Sequence, residues 1–341
     1  MPLTPSLFQK RLRAQDSLLG LAVGDAFGGC FFWKTDAAER IESRELPPST
    51  WKWSDDTAMG RAVVQCLNVH KKIEPTALAR LLAKEYHREP TRGYGTIAHT
   101  ILDEIWQGRS WQQAAGAVFD GKGSFGNGAA MRAAPIGAYF AEDTWRVIDE
   151  SRRSAMVTHA HVEGQAGAIA VALAAAWVVK AQDLNGRIML DWVWTHTPHG
   201  ETRDNLERAL NFSLSREPKE AAALLGSGES VTAQDTVPFA LWCAARHLDS
   251  YSDALWSTVT GGGDMDTTCA IVGSIVALCA PDGIPKEWKS RTEPVKLVLE
   301  PWWSQWDGWI SAKKMAPEGA NRRRRLFDAA SANNWPSSFI S

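Results

Sequence analysis

The segment 260–268, Thr-Gly-Gly-Gly-Asp-Met-Asp-Thr-Thr, constrains the fold of this chain more than any other part of its sequence. Three consecutive glycines allow the backbone to adopt positive φ and to approach a ligand closely. In an extended backbone, the alternating carboxylates of Asp264 and Asp266 would point to the same side. The apolar run 269–280 follows directly and predicts a buried helix. The segment fits half of a metal site at a helix start, or an Asp/Thr N-cap that satisfies the free amides of that helix.

The segment 53–60, Trp-Ser-Asp-Asp-Thr-Ala-Met-Gly, places a second pair of carboxylates at the head of another helix rich in Ala and Val. A single pair such as Asp55 and Asp56 is usually a solvated helix start, since acidic side chains favour the positive end of the helix dipole. Two such pairs predict a shared cleft, where four carboxylates would repel one another unless cations neutralised them. Oxygen ligands without paired Cys or His favour Mg²⁺, Mn²⁺ or Ca²⁺ over zinc.

Helical periodicity dominates the rest of the chain, without sustained period-two alternation or hairpin signals. The prediction is an all-α orthogonal multi-helix bundle whose loops carry the motifs. The Ala-rich stretch 166–179 is shorter than the roughly 20 residues of a membrane span and predicts a central helix. The polar region 184–225 predicts an inserted helical pair. Helices are expected at residues 17–26, 57–69, 75–87, 96–107, 111–118, 129–138, 145–156, 162–179, 233–248, 251–259 and 267–279.

Composition narrows the classes of function. The chain has 341 residues, 45% of them hydrophobic, and a net charge of -2, which suits a large core and lacks the basic footprint of nucleic-acid binding. The basic run 322–325 fits a solvated helix face better than a phosphate-binding patch. Five widely spaced cysteines predict reduced thiols and a cytoplasmic protein. Neither a signal peptide nor a membrane span is visible in the sequence.

The two ends of the chain differ from its middle. Residues 1–16 predict a short N-terminal arm, followed by a single domain over 17–341. From about residue 281 this domain carries a Trp-rich C-terminal extension. Its tryptophans are Trp288, Trp302, Trp303, Trp306, Trp309 and Trp335. Core packing is the first interpretation of these large side chains, and a surface for a partner or ligand is the second.

Five segments in fixed order resemble the ADP-ribosylglycohydrolase family, which includes the dinitrogenase reductase-activating and ADP-ribosylarginine hydrolases. They are Gly-Leu-Ala-Val-Gly-Asp-Ala-Phe-Gly at 20–28, Ser-Asp-Asp-Thr at 54–57, Gly-Ser-Phe-Gly-Asn-Gly-Ala-Ala-Met-Arg-Ala-Ala-Pro at 123–135, Thr-His-Ala-His at 158–161 and Gly-Gly-Asp-Met-Asp-Thr-Thr at 262–268. The resemblance covers Leu18 to about Ala280 and implies the all-α fold of that family. A weaker match at 235–242 looks like a helix that supports the site.

The resemblance implies two divalent ions, Mg²⁺ with Mn²⁺ as the alternative, and no redox cofactor. The implied metal ligands are Ser54, Asp55, Asp56, Asp264, Asp266 and Thr267. Their own chemistry agrees, because all of them offer hydroxyl or carboxylate oxygens. Asp55 and Asp56 are also the catalytic candidates. Asp25 is expected to support the site where substrate binds. The alternative for Asp25 is a helix C-terminal turn built on the neighbouring glycines.

The glycine-rich segment 123–128 is expected to bind ADP-ribose, since free N–H groups ahead of a helix suit anions. A flexible connector is the alternative. The substrate-binding candidates within it are Gly123, Ser124, Phe125, Gly126, Asn127 and Gly128. Asn127 offers both a donor and an acceptor for ribose hydroxyls. Phe125 or Phe119 is expected either to stack on adenine or to belong to the core. His159 resembles the histidine that lines the family's ADP-ribose pocket, with a helix-start histidine as the alternative.

One position departs from the family pattern. Many members carry a glutamate seven residues after the aspartate of the first motif, where it approaches the metals, and this chain carries Phe32 there. Glu39 and Glu42 are the stand-ins considered, although their spacing is that of ordinary surface acids. Without that glutamate, the resemblance implies a branch of the family that acts on ADP-ribosyl-arginine.

The expected activity is hydrolysis of the N-glycosidic bond between ADP-ribose and a protein side chain, arginine in the first place, which is EC 3.2.2-type chemistry. The expected partners are an ADP-ribosylated protein and ADP-ribose, with neither nucleic acid nor membrane. A hydrolase of serine-linked or free ADP-ribosyl compounds is one alternative. An immunity protein is a different class of function, in which residues 1–16 would block an ADP-ribosyltransferase toxin without hydrolysis.

Overall fold

The computed structural model describes residues 5–32, 34–280 and 282–296. These residues form sixteen α-helices and one 3₁₀ turn, and their only β-structure is two isolated bridges. The all-α prediction is therefore confirmed. The α-helices are α1 Leu7–Gly29, α2 Ala37–Ser43, α3 Asp55–His70, α4 Pro75–Arg88, α5 Thr96–Trp106, α6 Trp111–Ala117, α7 Ala134–Tyr139, α8 Thr144–Ala155, α9 Val162–Lys180, α10 Gly186–His196, α11 Glu201–Asn211, α12 Pro218–Leu225, α13 Ala233–Arg246, α14 Tyr251–Thr260, α15 Met265–Val276 and α16 Lys286–Arg291.

Helix α9 lies in the core, with α7, α8, α10 and α13 packed around it. Its run of alanines presents little side-chain bulk, so that several neighbours can approach it closely. It is the one described helix that is long and apolar enough to cross a membrane, yet 78% of its 18-residue apolar window is buried inside the protein. The prediction of a central helix is confirmed by this burial.

Helices α1 and α15 make the most extensive contact between any two described helices. Gly20, Gly24 and Gly28 lie on one face of α1, four residues apart, and face the backbone of α15. A methyl group at Gly24 would stand 2.1 Å from the carbonyl oxygen of Cys269, and one at Gly28 would stand 2.1 Å from that of Met265. Only glycine permits this approach, which brings the end of α1 against the start of α15.

The N-terminal boundary differs from the predicted one. Helix α1 begins at Leu7 because Ser6 and Gln9 form a capping box, in which each side chain accepts a hydrogen bond from the other residue's backbone N–H. The boundary predicted at residue 16 therefore falls inside a continuous helix, and residues 7–16 are helical rather than an arm. The sequence argument overlooked this capping box.

Two other predicted elements need correction, and two short helices were not predicted. The region 184–225 holds three helices, α10 to α12, rather than a pair. The helix predicted at 129–138 is replaced by the 3₁₀ turn Asn127–Ala129 and the short helix α7, which Pro135 helps to start because its fixed φ suits the first helical turn. The short helices α2 and α16 were not predicted, since one or two turns leave little periodic signal.

Trp288 is the member of the Trp-rich extension that the structure describes. It is buried, and its ring stacks on that of Phe27 with 4.4 Å between centroids. Core packing is confirmed for this tryptophan. The other five tryptophans of the extension and the basic run 322–325 lie outside the described residues.

Candidate active site

Three helix ends meet at one point of the bundle. Asp25 lies near the end of α1, Asp56 lies in the first turn of α3, and Asp266 lies in the first turn of α15. One carboxylate oxygen from each of the three lies within 4.8 Å of the others. The close contact between α1 and α15 explains how residues 241 positions apart come together. This trio, Asp25, Asp56 and Asp266, is called the acid cluster below.

Asp25 organises the start of α3. Its carboxylate accepts hydrogen bonds from the backbone N–H of Ser54 at 2.9 Å and of Thr57 at 3.1 Å, and from the Thr57 hydroxyl at 2.5 Å. Asp25 is fully buried, and burial raises its pKa to about 6 although these hydrogen bonds lower it. It therefore holds the start of α3 and also faces the other two acids directly.

The two carboxylate oxygens of Asp56 differ in their hydrogen bonding. Its Oδ2 accepts hydrogen bonds from the Ser54 hydroxyl at 2.9 Å and the Thr267 hydroxyl at 3.3 Å, whereas its buried Oδ1 has no partner among the described residues. Burial, followed by the charge of Asp266, raises its pKa well above the usual range. An unpartnered buried carboxylate oxygen calls for a proton or a cation, and the surrounding oxygen donors fit Mg²⁺, Mn²⁺ or Ca²⁺.

Asp55 differs from Asp56, since none of the described side chains donates a hydrogen bond to its carboxylate. Its backbone N–H donates to the carbonyl oxygen of Arg92 at 2.8 Å. The Arg92 side chain in turn bonds the Trp53 carbonyl oxygen at 2.9 Å and both carboxylate oxygens of Glu293 at 2.7 and 2.8 Å. Burial and then the charge of Asp25 raise the pKa of Asp55 to about 7. The backbone of Asp55 is thus fixed while its carboxylate stays available.

Asp264 and Asp266 do not lie in an extended segment, and that prediction is wrong. Helix α15 begins at Met265 with Asp264 at its N-cap position, so the helix itself sets their directions. The Asp264 side chain makes no cap hydrogen bond and instead accepts one from Asn127 Nδ2 at 2.7 Å. The capping interpretation fails for this side chain. It holds for Ser54, whose hydroxyl accepts from the Asp56 N–H.

A cavity of about 600 Å³ opens beside the acid cluster. The predicted site residues that line it are Asp55, Asp56, Ser124, Phe125, Gly126, Asn127, Gly128, His159, Asp264, Asp266 and Thr267. Three other predicted residues, Asp25, Ser54 and Gly123, do not line it. Its volume is in the range of pockets that hold a ligand of nucleotide size. The cavity therefore has an acidic end and a glycine-rich end.

The segment 123–128 is held by backbone hydrogen bonds and is not a flexible connector. The Asn127 N–H donates to the Val231 carbonyl oxygen at 3.1 Å, and the Ala233 N–H donates to the Phe125 carbonyl oxygen at 2.9 Å. The Asn127 side chain donates to Asp264 and, at 3.0 Å, to the Thr236 hydroxyl. Both of its N–H groups are engaged, so that only its carbonyl oxygen is left for a ligand.

Two aromatic rings form part of the wall at the glycine-rich end. Phe119 and Phe125 stack with 5.7 Å between centroids, and both line the cavity. Phe119 is 46% exposed, so it does not belong to the core. His161, by contrast, accepts a hydrogen bond from the Glu163 N–H and caps α9.

Two stretches of the cavity wall were missed by the sequence argument. The first is 93–98, where a Gly-Tyr-Gly sequence leads into the uncapped start of α5. A glycine pair ahead of a helix was a usable signal there. The second is 230–232, for which we find no local signal, since its position depends on pairing with the segment 123–128. Arg132 and Thr158 also line the cavity. They lie in the motifs 123–135 and 158–161, but neither was predicted to be a site residue.

Phe32 does not line the cavity. Neither do Glu39 and Glu42, which are exposed on α2. Neither glutamate therefore takes the place of the family's glutamate in this structure.

Comparison with known proteins agrees with the resemblance seen in the motifs. The model of the ADP-ribosylglycohydrolase family matches residues 8–320. ADP-ribosylhydrolase ARH3 of Xenopus tropicalis is 31% identical, over 83% of this chain and 92% of its own length. The human ARH3 is 29% identical, over 82% of this chain and 89% of its own. ADP-ribosylarginine hydrolase Tri1 of Serratia proteamaculans is 22% identical, over 82% of this chain and 75% of its own length.

A solved structure described as an ADP-ribosylglycohydrolase-related protein complex superposes on this chain with a TM-score of 0.61. The two sequences are 21% identical, and the match covers 84% of this chain and 94% of the other. At that identity the likeness concerns the fold. It agrees with the helical architecture described above.

Proposed function

Because the chain belongs to the ADP-ribosylglycohydrolase family, we propose that it removes ADP-ribose from modified protein side chains, with arginine as the preferred linkage. Membership itself makes the chain a hydrolase of ADP-ribosyl linkages that acts on substrates containing ADP-ribose. One observation carries the finer proposal, namely four carboxylates at one end of a cavity whose other end is rich in glycine. The acidic end suits cations, and the glycine-rich end suits phosphate groups.

The proposed cofactor is Mg²⁺, as two ions, with Mn²⁺ as the alternative. The proposed ligands are Ser54, Asp55, Asp56, Asp264, Asp266 and Thr267. Bound ions would neutralise the acids, orient ribose hydroxyls and increase the acidity of a water molecule. Asp25 supports this arrangement because it holds the first turn of α3 against the end of α1.

Asp55 is the proposed proton carrier. Its carboxylate is not engaged by a described side chain, whereas that of Asp56 is held by the hydroxyls of Ser54 and Thr267. A carboxylate free of side-chain donors can both accept and donate a proton. Water adds its oxygen to the anomeric carbon, and its proton passes through Asp55 to the departing nitrogen. Cleavage of the N-glycosidic bond then releases ADP-ribose and unmodified arginine.

Arginine linkage is supported by charge and by Phe32. The guanidinium group is cationic and would be attracted to the acidic end of the cavity. Neither Phe32 nor the described acids of α2 line the cavity, so that this segment contributes no carboxylate to it, unlike in many relatives. We infer that a bulky cationic linkage enters more readily than it would past a glutamate.

Serine-linked ADP-ribose is the second candidate substrate. The two ARH3 proteins are 31% and 29% identical to this chain, compared with 22% for the arginine hydrolase Tri1, and the name ARH3 specifies no linkage. This difference in similarity is the reason to test the serine linkage beside the arginine linkage.

The test compares arginine-linked and serine-linked ADP-ribosyl peptides of the same sequence under matched Mg²⁺. We expect faster release of ADP-ribose from arginine, loss of roughly 100-fold or more in kcat for Asp55→Asn, and no loss for the exposed control Asp120→Asn. Release from serine at an equal or higher rate would contradict the proposed linkage.

A further inference from the structure

Arg132 carries a charge that is buried without a partner of opposite charge in contact. It is fully buried and no described carboxylate forms an ion pair with it, although the charge of Asp55 acts on it from beyond contact distance. Its guanidinium donates to the Thr158 hydroxyl at 2.8 Å, to the Ser154 carbonyl oxygen at 3.0 Å and to the Gly128 carbonyl oxygen at 3.2 Å. Burying a guanidinium among neutral acceptors is costly, which indicates that its donors have a specific task.

The contact with Thr158 fixes the direction of a second hydrogen bond. A guanidinium can only donate, so the Thr158 hydroxyl oxygen accepts from Arg132. The same oxygen lies 2.8 Å from Nδ1 of His159. Among the described hydrogen bonds, the Thr158 hydroxyl has no other acceptor for its own proton. The hydroxyl therefore donates to Nδ1, and this nitrogen carries no proton.

The state of His159 follows from this direction. Burial, with a further contribution from the charge of Arg132, lowers the pKa of His159 to about 3, so that the ring is neutral at pH 7. A neutral imidazole whose Nδ1 accepts must carry its proton on Nε2. No described residue accepts a hydrogen bond from Nε2. This nitrogen faces the backbone of Gly126 and Gly128, where the position of an added methyl group would be 3.4 Å from Nε2 in each case.

We propose that Arg132 and Thr158 are positioning residues that hold His159 in its Nε2–H tautomer, so that it donates a hydrogen bond to an oxygen of the substrate lying along Gly126–Gly128. The chain of donors runs in one direction, from the guanidinium through the hydroxyl to the imidazole. The identity of the accepting oxygen, a phosphate or ribose oxygen of ADP-ribose, rests on the proposed function. The tautomer itself does not.

With a neutral side chain in place of Arg132, the hydrogen bond between Thr158 and His159 would no longer have a fixed direction. In Arg132→Gln, the amide oxygen can accept from the Thr158 hydroxyl, which frees that hydroxyl to accept from Nδ1–H of His159. The ring would then present an unprotonated Nε2 to the cavity, and a substrate oxygen would be repelled. Arg132→Lys keeps a side chain that only donates and should preserve the tautomer.

Two variants of Thr158 disturb the core less and serve as the test if replacement of the buried Arg132 prevents folding. Thr158→Val removes the hydroxyl at nearly constant shape, and Thr158→Ser retains it. Histidine tautomers are distinguished by long-range ¹H–¹⁵N correlation spectra of protein labelled at histidine, with His159 identified by its absence in His159→Gln. Isothermal titration with ADP-ribose in the presence of Mg²⁺ gives the affinity of the same samples, and titration with Mg²⁺ alone serves as the control for metal binding.

We expect the Nε2–H pattern in the parent and in Thr158→Ser, and a mixed or Nδ1–H pattern in Thr158→Val. ADP-ribose should bind about tenfold more weakly to Thr158→Val, the scale of one lost hydrogen bond to a charged group, with Mg²⁺ affinity unchanged. An Nδ1–H pattern in the parent, or an unchanged pattern in Thr158→Val, would overturn the proposal. If the parent shows the expected tautomers but does not bind ADP-ribose, the proposed function fails and the positioning role stands.

Discussion

The two ends of the cavity are held in place by different means. The acidic end is fixed by backbone contact between α1 and α15, where Gly24 and Gly28 leave no room for a side chain. The glycine-rich end is fixed by hydrogen bonds between the segments 123–128 and 231–233. The backbone contact at the acidic end joins two helices, whereas the hydrogen bonds at the glycine-rich end join two segments of loop. The end that must bring like charges together is thus the one built on direct backbone contact between helices.

Gly28→Ala should break the acidic end and have the largest effect. The added methyl group would stand 2.1 Å from the Met265 carbonyl oxygen, so the start of α15 must move and carry Asp266 with it. We expect a loss of about 3 kcal/mol or more in the free energy of unfolding, together with loss of tight Mg²⁺ binding. Chemical denaturation and calorimetry measure the two effects.

Gly29→Ala is the matched control for that variant. The nearest atom to its added methyl group is 3.9 Å away, so Mg²⁺ affinity should stay within about twofold of the parent. If Gly28→Ala and Gly29→Ala behaved alike, close packing would not be what positions the acids.

Asp56→Asn should separate stability from function at the same end. The change keeps the shape of the side chain and removes an ionisable group from a set of mutually repelling acids. We expect Mg²⁺-dependent hydrolysis to be lost, while the metal-free protein gains about 1 kcal/mol in unfolding free energy. Thermal unfolding in the presence of a chelator measures the gain. A destabilised metal-free protein would show that the four acids are not strained by their mutual repulsion.

Asn127→Ala tests how strongly the two ends are coupled. Asn127 belongs to the glycine-rich end but donates a hydrogen bond to Asp264 at the acidic end. We expect ADP-ribose affinity to fall by about 1 to 3 kcal/mol, because the substrate loses an acceptor and Asp264 loses a donor. Mg²⁺ affinity should fall by less, since the carboxylate itself remains. Calorimetric titrations with ADP-ribose and with Mg²⁺ measure the two affinities. Unchanged ADP-ribose affinity would remove Asn127 from the site.

Stability should also depend on pH at the acidic end. The pKa values of Asp25 and Asp55 are raised to about 6 and about 7 in the folded protein, above those of an unfolded chain. The folded state therefore holds more protons between about pH 4 and pH 7, and the contribution of these two acids to stability falls as pH rises through that range. Unfolding curves with a chelator should show this slope, and Asp55→Asn should reduce it. Excess Mg²⁺ should reverse the slope, since deprotonated ligands bind the metal better. An identical slope in the parent and in Asp55→Asn would exclude Asp55 as its source.

Local signals made part of this molecule predictable. The periodicity of apolar residues indicated the all-α class, and paired acids at the heads of apolar runs indicated where α3 and α15 begin, to within two residues. Such signals depend on residues a few positions apart, which interact in any context. The short helices α2 and α16 carried too few turns to be seen in this way.

Other features depended on which segments meet in space. The glycines of α1 are visible in the sequence at a spacing of four, but their partner in α15 follows some 240 residues later. The direction of the Asn127 amide was likewise undetermined, because it depends on Asp264 and Thr236 lying within hydrogen-bond distance. Both N–H groups of this amide are engaged within the protein, so that only its carbonyl oxygen is left for a ligand.

The sequence by itself determined the class of fold, the family and the oxygen donors available for a metal, because these follow from residue type, periodicity and the order of motifs. Only the tertiary structure decided which oxygens face one another, that Phe32 and the acids of α2 stand away from the cavity, and that Arg132 directs a hydrogen bond towards His159. The physical reason is that the free energies of burial and of hydrogen bonds depend on distances between segments far apart in the chain.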